Sequence, residues 1–257
     1  MKLYIFGSCS GTEPFEARHH TALALEIGGR FYWFDAGESC SYTAHLLGVD
    51  LLRVSDIFIS HPHMDHVGGL GNLLWTIRKL SSVKGELPQF GDVTVYTPNT
   101  DTFDGILKVL RQTEGNYKCK YQTLSKKITD STLLNDENIK VEAKHNLHLP
   151  ETAEGWQSFS FRVTAENKRI VYSGDLKDIS DITEYLEEGC DLLLMETGHH
   201  SAEKICRIIA DKKYPVKELC FLHHGREILN DYDGTLKRAR AINPNVKFAN
   251  DKDILDV

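Results

Sequence analysis

Residues 61–66 read His61-Pro62-His63-Met64-Asp65-His66, so three imidazoles and a carboxylate fall within six positions. Core packing gains nothing from adjacent polar side chains. Donors at this density suit a divalent metal, with zinc the first expectation, and the chemistry such a site supplies is metal-assisted hydrolysis. One short loop rarely completes a hydrolytic site, so further donors should stand where other apolar runs end. His148 follows Val141 to Leu147, and Asp175 follows Ile170-Val171-Tyr172-Ser173-Gly174. His199 and His200 follow Leu192 to Glu196, and His223 and His224 follow Leu219-Cys220-Phe221-Leu222. Strand ends open into loops, where functional residues gather. The plainer alternative at each is a hydrogen-bonded structural histidine, or, for Asp175, a cap on the turn that follows. Two choices stay open: His145 competes with His148, and His224 with His223. His148 is favoured because it precedes Leu149-Pro150 at the strand exit, and His223 because it comes first after its apolar run.

The elements that would position these residues alternate in type. Leu3 to Phe6 reads as a buried strand ending in a Gly/Ser loop, and Thr21 to Ile27 pairs with Arg30 to Phe34 about the turn Gly28-Gly29. Ser39 to Leu47 has helical spacing, Ile57 to Ser60 is a short strand delivering the histidine run, and Val67 to Leu80 is expected as a helix. Strands are expected at Val93 to Tyr96, near 118–123 and 138–144, and at Gln157 to Thr164, Arg169 to Tyr172, Leu192 to Met195 and Leu219 to Leu222. Helices are expected at Phe103 to Leu110, Ile179 to Glu188 and Ala202 to Asp211, while much of 101–136 carries no readable role. Hairpins mixed with alternating helices predict an α/β protein with two mixed sheets and helices outside them, in one domain over 1–257.

Composition sets bounds. An apolar share of 41% and a charged share of 26% are those of a soluble globular chain. The net charge of −7 gives no electrostatic reason to expect nucleic-acid binding. The six cysteines form no C-x-x-C pair and read as small buried hydrophobes. The apolar run at the N-terminus is too short for a signal peptide, and no run approaches the roughly 18 residues of a membrane span, so a cytoplasmic setting without membrane is expected.

His61, His63, Asp65 and His66, followed by Val67-Gly68-Gly69-Leu70, resemble the signature of the metallo-β-lactamase superfamily. The order His148, Asp175, His223 resembles its later motifs, and Asp35 in Phe34-Asp35-Ala36-Gly37 resembles its early structural aspartate. The resemblance runs from Met1 to about Arg226 and implies a four-layer αβ/βα sandwich of two mixed β-sheets. It also implies two divalent ions, zinc first, with manganese or iron as alternatives. His61, His63 and His148 would hold one, Asp65, His66 and His223 the other, and Asp175 would bridge them. Ions about 3.5–4 Å apart would share a hydroxide nucleophile.

Asp rather than Cys at 175 and His rather than Glu at 63 argue against the β-lactamases and the di-iron branch. Phe6 to Pro14, Arg18, Phe34 to Glu38 and Glu196 to Ser201 are similar to the ribonuclease Z group. By that resemblance the catalytic residues are Asp65, steering the nucleophile's proton, and His200, donating to a phosphate oxygen. Ribonuclease Z enzymes that process tRNA usually carry a long RNA-gripping arm, often between the motifs matched by His148 and Asp175. Only 26 residues lie between those positions, and a hairpin uses them. The expectation is therefore a dinuclear metal-dependent phosphodiesterase acting on a small phosphodiester or nucleotide-type substrate, with RNA disfavoured. The alternatives are an arm-less tRNA 3′-processing endonuclease, a hydrolase of a carbon ester, thioester, lactone or lactam, and a non-catalytic metal-binding scaffold. The resemblance also suggests a homodimer.

Overall fold

The computed structural model describes residues 1–257. The first half lays down β1 (Lys2–Gly7), β2 (Ala22–Ile27), β3 (Arg30–Ala36), helix α1 (Cys40–Leu46), β4 (Val54–Phe58), α2 (Met64–Val67), α3 (Leu70–Lys84), β5 (Val93–Thr97), α4 (Thr100–Leu110) and β6 (Thr123–Lys127). The second half adds β7 (Ser131–Asn135), β8 (Lys140–His145), β9 (Phe159–Ala165), β10 (Lys168–Tyr172), α5 (Thr183–Glu187), β11 (Cys190–Thr197), α6 (Ala202–Lys212), β12 (Val216–His224), α7 (Arg226–Asn230), α8 (Tyr232–Ile242) and β13 (Val246–Phe248). β14 (Ile254–Asp256) returns to pair with β1. The strands form two mixed seven-stranded sheets, ordered β14-β1-β2-β3-β4-β5-β6 and β13-β12-β11-β10-β9-β8-β7.

The period-2 side-chain alternation of a strand explains the layers. In β3, Tyr32 and Phe34 enter the apolar cluster between the sheets, while Phe31 and Trp33 enter a second cluster beneath α1, α3 and α4. β11 does the same in the other sheet: Leu192 and Leu194 face the partner sheet, and Leu193 and Met195 face α5, α6 and α8. Both faces of both sheets are thus covered, which is why the central strands read as continuous apolar runs. No helix is long and apolar enough to cross a membrane.

The turns obey their chemistry. Gly28-Gly29 and Glu166-Asn167 all have positive φ, the requirement of a two-residue hairpin turn that follows the strand twist. The helix expected over 67–80 is interrupted. Gly69 donates to the Ala36 carbonyl (2.7 Å), and a Cβ there would lie 2.1 Å from the Gly37 oxygen. The glycine pair lets the chain pass against β3 before α3 begins. The strand expected near 118–123 starts only at Thr123, and β7, with mostly polar exposed residues, lacks the alternation that would have announced it. The helix expected over 179–188 opens as a 3-10 turn before α5.

Candidate metal centre

The ends of β4, β8, β10 and β12 meet at one edge of the sandwich. From the first sheet, β4 runs through Ile59-Ser60 into His61, and His63 precedes the short helix α2, which carries Asp65 and His66. His61 and His66 are fully buried and Asp65 nearly so, whereas His63 lies toward the rim. His66 is held from behind. Its Nδ1 lies 2.8 Å from Asp35 Oδ2, and the same carboxylate accepts from the Ser60 amide (2.6 Å), the Ser60 hydroxyl (2.7 Å) and the Tyr172 phenol (2.5 Å). With Nδ1 committed, Nε2 faces forward, 3.3 Å from Asp175 Oδ1 and 3.5 Å from Asp65 Oδ2.

The other sheet supplies three residues from separate strands. Asn146, beyond β8, accepts from the His148 amide (3.1 Å) and donates to the Ser160 hydroxyl (3.1 Å), which fixes the turn that presents His148. Gly174 (φ 57°) makes the turn after β10 that delivers Asp175. A Cβ at Gly174 would lie 2.8 Å from the Phe159 carbonyl. His223 is the extra residue of a β-bulge: β12 pairs Leu222 with Glu196 and His224 with Thr197, and skips His223. The bulged residue takes φ 51° and turns its ring out of the ladder. Its Nε2 then lies 3.1 Å from Asp65 Oδ2 and 3.2 Å from Asp175 Oδ1. Asp35 occupies an equivalent bulge in β3, with φ 52°.

All seven residues expected to ligate metal are brought together. His61, His63, His148 and Asp175 form one group and Asp65, His66, Asp175 and His223 a second, the donor atoms of each lying within 4.8 Å of one another. The two competing histidines lie outside both groups. His224 turns away, its Nε2 2.8 Å from the Ala249 carbonyl and its Nδ1 3.1 Å from the Thr197 hydroxyl. His145 stacks on Trp156 (centroids 4.2 Å apart) and pairs with Asp130 at 2.6 Å.

His200, expected beside the donor atoms, instead sets its Nε2 3.2 Å from the Leu176 carbonyl and 3.4 Å from Glu196 Oε1. Its neighbour His199 takes the place at the rim, with a side chain 45% exposed and Nδ1 3.2 Å from Glu196 Oε1 and 3.8 Å from Asp175 Oδ2. From the sequence both histidines stand out and His200 is expected to be the donor, whereas it is His199 that the loop brings near Asp175. Glu196, buried and 3.7 Å from His223 Nδ1, also receives the amides of Leu176 (3.3 Å) and His199 (2.9 Å). The signal for Glu196 was an acid closing an apolar strand.

The electrostatics are those of a cation site. Burial opposes charge on Asp175, yet His223 and His66 hold its carboxyl well below the usual range. Burial likewise opposes charge on Glu196, but His199 and His223 pull it down to about 2. Burial works against protonating His223, and Asp175 and Asp65 outweigh it, pushing the imidazole up to about 9. His61, buried and beside His66, is pushed well down. Buried Nε2 of His66 and Oδ1 of Asp175 make no hydrogen bond, although both point into the donor cluster. An orphaned imidazole nitrogen beside an orphaned carboxylate oxygen is costly unless a cation takes both, so the residues fit a metal.

The two mixed sheets are those of the metallo-β-lactamase fold, and the donor set at their edge is a candidate metal centre. The family model described as anti-Pycsar protein Apyc1 matches residues 1–206, and the chain belongs to that family. Among curated relatives, the ribonuclease Z of Treponema pallidum is 39% identical over 74 residues, which are 29% of this chain and 24% of that protein. The matched part is thus about a quarter of the length of such relatives. The ribonuclease Z of Archaeoglobus fulgidus is 23% identical over 305 aligned positions, covering 98% of this chain and 96% of that protein. The metallo-β-lactamase fold protein YhfI of Bacillus subtilis shares the fold, with a TM-score of 0.75 at 18% identity and 99% coverage of both chains.

Proposed function

We propose that residues 1–257 act as one hydrolase unit, a dinuclear metal-dependent phosphodiesterase whose substrate is a small phosphodiester of nucleotide type. The observation that carries this reading is the sharing of Asp175 by two donor groups, with Oδ2 toward His61 and His148 (3.7 Å each) and Oδ1 toward His66 and His223. One carboxylate serving two clusters is the arrangement of a paired-ion site, and the imidazole and carboxylate donors suit zinc first, then manganese or iron. Divalent ions held there supply Lewis acidity, activating water and drawing charge from a phosphoryl group.

The chain's own residues do the rest. Asp65, between His66 and His223, orients the nucleophile's proton. His199 directs Nδ1–H at Glu196, whose carboxylate raises the imidazole's pKa, so the protonated ring presents Nε2–H at the rim to give to the leaving oxygen; such a donor contributes about 10²–10⁴-fold. His200, held on Leu176, fixes the turn that presents Asp175. The small-substrate reading is supported by the segment between His148 and Asp175. It is filled by one loop, β9 and β10, with no projecting arm. The 305 positions aligned with the archaeal ribonuclease Z exceed the 257 residues here, so that relative carries segments without counterpart.

The test is a substrate panel on protein of measured metal content: a chromogenic phosphodiester, cyclic mononucleotides, dinucleotides, precursor tRNA, and a thioester, lactone and β-lactam. Metal-dependent turnover should be greatest on the small phosphodiesters. Faster turnover of precursor tRNA or of a carbon ester would replace this reading, and inertness of the metal-loaded protein toward every class would leave only the scaffold.

A further inference from the structure

The four hydrogen bonds that converge on Asp35 are not equivalent. Ser60 and His66 reach it from its own sheet, through the end of β4 and the helix α2. The Tyr172 phenol comes from β10, across the sandwich. Asp35 and Tyr172 are both buried, and burial with Asp35 alongside pushes the phenol well above its usual range, so it stays a donor. Tyr172 stands three residues ahead of Asp175 on the same strand exit, while Asp35 holds the back of His66. One hydrogen bond therefore ties the residue that aims His66 to the strand that delivers Asp175, and the gap it indexes is the 3.3 Å between His66 Nε2 and Asp175 Oδ1. The group of His61, His63 and His148 meets this network less directly, at the Ser60 hydroxyl, 3.0 Å from His61 Nδ1, and at the shared Asp175, 3.7 Å from His61 and from His148.

We infer that Tyr172 is a positioning residue for the second donor group, acting through Asp35 to hold His66 and Asp175 in register across the two sheets. This rests on the dinuclear reading above. Loss of an outer partner of a metal site typically costs about 10–100-fold in affinity, and here the loss, passed on through Asp35, should fall chiefly on the ion held by His66.

Cobalt(II) titration of the full chain followed by its visible spectrum, with bound metal counted, reads this directly. The unaltered protein should take up two ions. Tyr172→Phe should weaken the second step by about 10–100-fold and the first, which shares only Asp175 with it, clearly less. Phe161→Leu, which alters the aromatic packed on Tyr172, should lower the thermal midpoint and leave both steps intact. Ser60→Ala removes another donor to the same carboxylate and touches His61 as well, so it should weaken both steps; it serves if Tyr172→Phe does not fold. Unchanged uptake in Tyr172→Phe, or an equal loss of both steps there and in Phe161→Leu, overturns the inference. If Tyr172→Phe does not fold, unchanged uptake in Ser60→Ala overturns it. Fewer than two ions on the unaltered protein overturns the dinuclear reading first and this one with it.

Discussion

His61, His63, Asp65 and His66 ride on one strand end and one short helix, so the backbone sets most of their relative positions. His148, Asp175 and His223 come from three strand ends in the opposite sheet and meet the first set only through tertiary packing. The first half-site is a local object, and the second exists only when both sheets are seated. The contrast predicts that the metals respond to substitutions that unseat His148, Asp175 or His223 at their strand ends, and not to a general loosening of the core between the sheets.

Asp175→Ala gives the largest effect, because both donor groups lose a member. Turnover should fall on the order of 10³-fold, about 4 kcal/mol, with metal content well below that of the unaltered protein. If one ion remained at full affinity, Asp175 would belong to one group only. His223→Ala should empty one site and spare the other, which elemental analysis would show. Next, His199→Ala should lower kcat about 10²-fold at unchanged metal content, whereas His200→Ala should cost less in kcat. The reverse order in steady-state kinetics would return the donor role to His200.

His224→Ala should keep both metals and lose stability by about 1–3 kcal/mol in urea unfolding, since a fully buried ring and its bonds to the Ala249 carbonyl and the Thr197 hydroxyl are lost, while Arg18 still donates to Ala249. The smallest effect lies far from the site. Burial raises the Asp56 carboxyl above its unfolded value of about 3.9. The native state therefore holds that proton more tightly, and stability falls as pH rises through the folded value. Asp56→Asn should raise the thermal midpoint by about 2 °C at pH 7 and leave it unchanged near pH 3.5, checked by melts at the two pH values.

The local half-site was legible in the sequence because its donors are adjacent and follow an apolar strand. The strand-end rule also reached Asp175 and His223, since β10 and β12 pair in parallel with β11 and appear as apolar runs with abrupt polar ends, and it reached His148 at the end of the alternating antiparallel β8. What stayed hidden depends on distant backbone. Whether His199 or His200 faces inward turns on how the loop after β11 meets Glu196 and Leu176. The Gly68-Gly69 break depends on β3 lying against it. The region after Arg226 adds α7, α8, β13 and β14, none of which carried a site motif to guide the reading.

At the end of the sandwich that bears the site, backbone hydrogen bonds cross between the sheets. Phe159 donates its amide to the Ser60 carbonyl (3.0 Å), and His224 and Ser8 exchange with Ser10 nearby: His224 N to Ser8 O (2.7 Å) and Ser10 N to His224 O (3.2 Å). These backbone bonds fasten the two layers at the donor end. Slow breathing of the two layers would open the far end of the sandwich and leave the donor end closed. Amide hydrogens at Phe159 and His224 should then exchange only by the slowest, global opening, while those of the distal strand ends exchange sooner.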